Sequence, residues 1–155
     1  VKENYIAIYD ESIRKAFKSH FDKYKTVEIT DFMFIEHDFT IAASSYIISD
    51  LNWQKEYDKK FYAYYDPAYK AGFHLSSGFN LLSFLTSDNP IGTKILERKK
   101  KANISNGFVL IAKTPMKAYQ LILSSKDDNL DIVNLMCKNA ERFVQLFEEF
   151  KKITL

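Results

Sequence analysis

The chain has 155 residues, of which 46% are hydrophobic and 27% charged, and its formal net charge is +2. That length fits one domain with a genuine core, and a charge so close to neutral argues against nucleic acid as its main partner. A single cysteine, Cys137, excludes an internal disulfide and a multi-cysteine metal site and fits a reducing cytoplasm; no apolar run approaches the ~20 residues of a membrane helix.

Apolar residues at Ile13, Phe17, Phe21 and Tyr24 mark one face of a helix over 10–24, with Asp10 at its start and Glu11 in its first turn. Val27 to His37 reads as a strand covered on both faces, Phe32 and Phe34 pointing one way and Met33 and Ile35 the other. His37-Asp38 is a plausible turn, and Phe39 to Tyr46 reads as the returning strand. Its small residues Ala42 to Ser45 either leave space over the sheet or let a helix pack closely. Asp50 suits the cap of a helix from Leu51 to Phe61, on which Trp53, Tyr57 and Phe61 share a face.

Asp66-Pro67 breaks that pattern and opens a short turn or helix with Pro at its first position. The stretch from Ala71 to Leu85 reads as loop with one short strand between Ser77 and Phe84. Pro90 opens a helix ending in Arg98 to Lys101, basic residues that complement the C-terminal dipole and read as a solvated face. Gly107 to Lys113 and Ala118 to Ser124 form a hairpin. Asp128 or Asn129 is the expected cap of a long last helix striped by Val133, Met136, Ala140, Phe143, Phe147 and Phe150. Two hairpins with flanking helices give an α/β fold, an antiparallel sheet with helices on both faces (an α/β/α sandwich, PAS- or GAF-like).

Enzyme chemistry finds little footing. His20, His37 and His74 carry no ligand spacing, so no metal site and no cofactor is expected. Cys137, mid-helix among apolar neighbours, reads as a buried thiol. No nucleophile elbow, P-loop or dinucleotide fingerprint occurs. Glu148-Glu149 fits a polar helix face, and Val1 to Tyr9 shows no basic-then-apolar leader. The 15% aromatic content, with 13 Phe and 10 Tyr, fits a core or a pocket.

The segment WQKEYDKKFYAYYDP, Trp53 to Pro67, resembles the signature of autoinducer-binding domains of LuxR-type transcription regulators: Trp, Tyr four residues on, and Asp-Pro nine residues after the Tyr. ILERKKKANISNGFVLIAKTP is similar to the family's helix-then-Gly-then-strand step, with Gly107 at the expected glycine. Two departures stand out. The segment after Asp-Pro offers Phe79, Leu81, Leu82 and Phe84 where the family usually has a second Trp, and Ser49 stands where a Tyr is common. The pattern thus resembles a divergent member.

The resemblance implies a cytoplasmic sensor for a small amphiphilic ligand of the acyl-homoserine-lactone kind, a homodimer through the first or last helix, and DNA contact only through a C-terminal helix-turn-helix domain that this chain, ending at Leu155, does not contain. It implies that Trp53 donates to a lactone carbonyl, Asp66 accepts from an amide N–H, and Tyr57 donates to an acyl carbonyl. Ser124, Phe34, Tyr46, Phe61 and Tyr65 would complete the lining. Each residue has a plainer role available: Trp53 and Tyr57 as packing aromatics, Asp66 as a helix cap, Ser124 as an ordinary strand serine. The rival function is a PAS- or GAF-like dimerisation module with no small ligand and a solid core.

Overall fold

A computed structural model describes residues 4–6 and 11–153. Asp10, the expected start of the first helix, lies outside the described residues, as do 1–3, 7–9 and 154–155.

The elements follow in chain order as β1 (Asn4–Ile6), α1 (Glu11–Tyr24), β2 (Asp31–Asp38), β3 (Ala43–Ile48), α2 (Leu51–Lys59), α3 (Pro67–His74), β4 (Gly78–Leu81), α4 (Pro90–Lys101), β5 (Asn106–Lys113), β6 (Lys117–Ser125), α5 (Ile132–Lys138) and α6 (Ala140–Ile153). Short 3-10 turns cover Tyr62–Tyr64 and Leu82–Phe84. The strands form one sheet in the order β1-β3-β2-β6-β5-β4. Five strands pair antiparallel, as expected, and β1 adds a short parallel edge against β3.

Alternation along the central strands divides the core into two layers. Phe32 and Phe34 of β2, Leu121 and Leu123 of β6, and Phe108 and Leu110 of β5 face α1, α5 and α6, where they meet Phe17, Phe21, Leu135, Phe143, Phe147 and Phe150. The Phe17 and Phe150 rings meet edge-on with centroids 4.8 Å apart, a favoured aromatic geometry. Met33, Ile35, Val109, Ile111 and Ile122 face the other way, onto Trp53 and Tyr57 of α2 and Ala68, Tyr69 and Ala71 of α3. The layers are therefore α1/α5/α6, sheet, and α2/α3, the sandwich expected from the two-faced strands.

Several boundaries differ from expectation, each for a local reason. The β2–β3 connection is Phe39 to Ala42, not His37-Asp38, because the Asp38 carboxylate accepts from the Thr40 N–H at 2.9 Å and hydroxyl at 2.6 Å and closes the turn there. The second strand therefore runs from Ala43 to Ile48 instead of from Phe39 to Tyr46. Helix α2 stops at Lys59 rather than Phe61, since Phe61 adopts a left-handed φ of 54°. Ala71 and Gly72, expected in a loop, belong to α3.

The last helix is two. Asp131, not Asp128 or Asn129, caps α5 by accepting from the Asn134 N–H at 3.1 Å, and Asn139 interrupts the chain before α6. The stripe splits accordingly: Phe143, Phe147 and Phe150 are buried while Val133 is exposed. Cys137 is exposed rather than buried, because it sits two residues, about 200° around the helix, from the inward-facing Leu135. Gly107 has a packing reason: a Cβ there would lie 2.1 Å from the Leu123 carbonyl oxygen on the neighbouring strand.

Candidate functional site

The α2/α3 layer carries the residues of the Trp53–Pro67 signature. Asp50 caps α2 by accepting from the Trp53 N–H at 3.0 Å, which fixes the first turn and points Trp53 and Tyr57 down one face toward the sheet. Their ring centroids are 6.1 Å apart, and Tyr46 of β3 meets the Tyr57 ring at 5.4 Å. Asp66 caps α3, one oxygen accepting from the Ala68 N–H at 3.0 Å. The local chemistry of both helix starts thus places Trp53, Tyr57, Asp66 and Tyr46 in a single buried cluster.

At its centre Asp66 is fully enclosed, at 0% exposure. Its Oδ2 accepts from the Tyr57 hydroxyl at 2.7 Å. Lys99, reaching in from α4, donates to both carboxylate oxygens, at 2.8 Å and 2.7 Å. Including the Ala68 N–H, four donor contacts occupy the roughly four lone-pair sites of the carboxylate. Burial pushes the Tyr57 phenol well above its ordinary range, and the adjacent Asp66 charge adds to the shift; Tyr57 is therefore held as a neutral donor.

A second pair seals the outer side. Arg98 makes a two-pronged contact with Glu56, at 3.0 Å and 2.9 Å, and its guanidinium lies over the Trp53 ring, 5.5 Å from the centroid. Tyr62 also donates to Glu56, at 3.0 Å. Burial raises the Glu56 carboxyl, but the hydrogen bonds from Arg98 and Tyr62 and the Arg98 charge outweigh it and hold the group below its usual range. Burial also raises Asp58, against the lowering effect of the Tyr46 hydroxyl that donates to it.

Deeper under α3 lies a polar network. His37 Nδ1 meets the Ser44 hydroxyl at 2.5 Å, and its Nε2 meets Gln120 Oε1 at 2.7 Å. Gln120 in turn accepts from the Gly72 N–H at 2.9 Å and donates to the Ala68 carbonyl at 2.7 Å. This network pins α3, and with it Asp66, to the sheet. The small residues of β3 thus serve close packing, and Ser44 serves a hydrogen bond.

Between the sheet and α2 the packing leaves a cavity of about 40 Å³, whose walls include Trp53, Ser124, Ser49, Asp31, Leu82 and Lys99. This is room for water rather than for an acyl chain, since small-molecule pockets run to ~300–1,000 Å³. A larger cleft of about 480 Å³ lies alongside, with Ala68, Leu82, Leu85, Leu96, Lys99, Lys100, Asn106 and Asp128 in its lining. Leu82 and Lys99 border both spaces, so these two side chains separate cleft from cavity.

The expected lining residues divide. Trp53, Tyr57, Asp66, Tyr46 and Ser124 lie in or against this layer. Phe34 does not: it is fully buried on the opposite face of the sheet, against Phe17, Phe147 and Phe150. Phe61 is 65% exposed because the left-handed backbone turns it outward, and Tyr65 is half-exposed beside a different cleft, with Pro67, His74 and Phe84. Ser49, where the family often has Tyr, accepts the Phe32 N–H at 2.9 Å.

Lys99, Arg98 and Glu56 are not marked as site residues by the sequence pattern, in which the basic run reads as a solvated face. The signal was there in the spacing: Gly92, Ile95 and Lys99 fall three and four apart and form the buried stripe of α4. Among the described residues no group of three or more His, Cys, Asp or Glu could hold a metal ion, and no helix is long and apolar enough to cross a membrane.

No family model and no curated protein matches the sequence. Solved structures match its fold. Escherichia coli SdiA superposes with a TM-score of 0.65 at 12% identity, over 94% of this chain and 63% of that one. SdiA in complex with octanoyl-rac-glycerol gives 0.65 at 13% identity, over 93% and 59%. A solution structure of SdiA residues 1–171 gives 0.61 at 12%, over 91% and 85%. The chain thus spans about three-fifths of the first two SdiA chains and most of the 1–171 fragment. The resemblance first seen in Trp53, Tyr57, Asp66 and Pro67 extends to the whole architecture: this chain has the fold of SdiA, a LuxR-type regulator.

Proposed function

We propose that this chain is the sensor domain of a LuxR-type transcription regulator and binds a small amphiphilic acyl compound rather than catalysing a reaction. The observation that carries this reading is the convergence of Trp53, Tyr57 and Asp66 in one buried cluster, beside a cleft of about 480 Å³ with leucine and polar walls that Lys99 and Leu82 divide from the cavity under Trp53. A solved neighbour of the same fold holds octanoyl-rac-glycerol, an amphiphile of this class. The acyl chain takes the cleft between Leu82, Leu85 and Leu96, and the head reaches Lys99 and Trp53. Binding to the folded state alone stabilises it by mass action. DNA contact then belongs to a C-terminal domain outside this chain, and the working unit is a cytoplasmic homodimer. Most of the α6 stripe is occupied by the core, so a dimer through the last helices would use residues such as Val133 and Val144, both exposed.

The test is mass spectrometry of organic extracts of the purified chain, paired with thermal unfolding in added octanoylglycerol. An acyl compound in the extract, or a rise in melting temperature that saturates with octanoylglycerol, is expected. A clean extract and an unchanged melting temperature would contradict the reading. They would favour the second one, a PAS- or GAF-like dimerisation module without a ligand, which the small size of the cavity under Trp53 and the saturated Asp66 specifically support.

A further inference from the structure

The geometry points to Lys99 as an internal substitute for a ligand N–H at Asp66, so that the site selects an acyl compound whose head presents oxygen acceptors and no amide N–H. The inference rests on the reading of the chain as an acyl-ligand sensor and specifies the chemistry of its head group.

A carboxylate has about four lone-pair directions. In Asp66 they are met by the Ala68 N–H at 3.0 Å, the Tyr57 hydroxyl at 2.7 Å and the Lys99 ammonium at 2.8 and 2.7 Å. A ligand amide aimed at Asp66 has no free acceptor to meet and would have to displace a lysine that is itself only 8% exposed. Tyr57 is committed as well, since its one hydroxyl proton goes to Asp66.

The donor-only side chains that border the cavity and the cleft are Lys99, Lys100 and Trp53, while Asp128 lies at the cleft. An ammonium carries three N–H groups, and Lys99 directs two at Asp66. Lys99 lines both the cavity and the cleft, so its third N–H is the donor left for a ligand oxygen. Trp53 shares the cavity wall with it and offers a donor-only indole N–H. Lys100 lines the cleft.

The acceptors at the cavity wall are Asp31, Asp50, Ser49 and Ser124; Asp50 already takes the Trp53 N–H at 3.0 Å and Ser49 the Phe32 N–H at 2.9 Å. Asp31 is engaged by the Thr30 hydroxyl at 2.7 Å and by Lys126 at 3.5 Å. Ser124 has a hydroxyl that adapts to either role. An ester or carboxylate oxygen therefore meets Lys99 and Trp53 as donors, whereas an amide N–H meets an Asp66 whose oxygens are already taken by Tyr57, Ala68 and Lys99.

The experiment uses the intact chain and three probes of equal acyl length: N-octanoyl-homoserine lactone, the ester in which oxygen replaces its amide N–H, and octanoate. Binding is read from the emission of Trp53, the only tryptophan, and from melting temperature. The ester is expected to bind at least tenfold tighter than the amide, the change that leaving one buried donor unpaired produces. Tighter binding of octanoate than of the ester would assign the head to a free carboxylate, and the reverse order to an ester. Lys99→Met frees the Asp66 oxygens and is expected to reverse the ester-over-amide preference; should that variant fail to fold, the comparison in the unaltered chain still decides. Equal affinities, or a preference for the amide, would overturn the inference while leaving the sensor reading intact. No response to any of the three probes would instead sink the sensor reading, and the inference with it.

Discussion

Replacing Asp66 by Asn removes the charge that Lys99 faces while keeping the volume. The carboxylate is wholly buried and the ammonium nearly so, with two contacts of 2.7–2.8 Å between them. Breaking a buried pair by removing one partner typically costs about 3–5 kcal/mol, mostly because the survivor is left uncompensated, whereas replacing both partners by neutral groups is often close to neutral. Asp66→Asn should sit within that range, since its amide NH₂ would turn a donor toward the ammonium. Lys99→Met should fall nearer the lower end, because Ala68 and Tyr57 still donate to the carboxylate.

For a domain of this size each kcal/mol moves the melting temperature by about 2–4 °C, so either single change should lower it by roughly 6–20 °C. The double variant should lose far less than the sum of the two. Urea unfolding followed by circular dichroism, run as a double-mutant cycle, measures the coupling directly. Single variants within about 1 kcal/mol of the parent, or strictly additive losses, would refute the claim that this pair is buried and coupled.

Phe34→Ala should cost about 3–5 kcal/mol of stability, as large-to-small changes of buried aromatics do, yet leave the affinity for octanoylglycerol unchanged, because Phe34 packs behind the sheet; calorimetric titration at a temperature where the variant is folded checks both halves. Gly107→Ala should destabilise by about 1–3 kcal/mol through overpacking, since the Leu123 carbonyl 2.1 Å from the added Cβ belongs to the sheet and cannot swing away; denaturant midpoints measure it. The Tyr57 phenol ionises in the unfolded chain near its ordinary value of 10.0 but above that when folded. Its contribution is therefore fully present below pH 10 and lost as pH rises through the folded value, so its ionisation in a spectrophotometric titration should accompany unfolding, and Tyr57→Phe should abolish that component. Cys137 should react with a thiol reagent in the native state as fast as in urea, because it is exposed.

Much of the site could be read from residue spacing because helix starts announce themselves locally. Asp50 and Asp66-Pro67 cap their helices by side-chain bonds made within three residues, and that alone orients Trp53, Tyr57 and Asp66. Phe34 was harder. A strand apolar on both faces gives no direction by alternation, and its parity with Phe32 places it against α1 and α6. Phe61 could not be placed because the helix end depends on one left-handed residue, and non-glycine residues rarely signal that conformation. Lys99 was hidden by its neighbours: Arg98, Lys100 and Lys101 make the run look solvated, while only the position of Lys99 on the Gly92–Ile95 stripe shows that it points inward. Its partner lies 33 positions away in sequence, a pairing that local spacing does not signal.

The central claim is that an acyl amphiphile binds beside Trp53. Because Trp53 is the only tryptophan and its ring borders the cavity shared with Lys99, its emission during titration of the purified chain with octanoylglycerol reports on the site with no added label. The account predicts a saturable change in emission, accompanied at a hundredfold excess over Kd by about 2.7 kcal/mol of stabilisation and a rise of roughly 5–11 °C in melting temperature. Emission and melting temperature that stay flat up to the solubility limit of octanoylglycerol would contradict it.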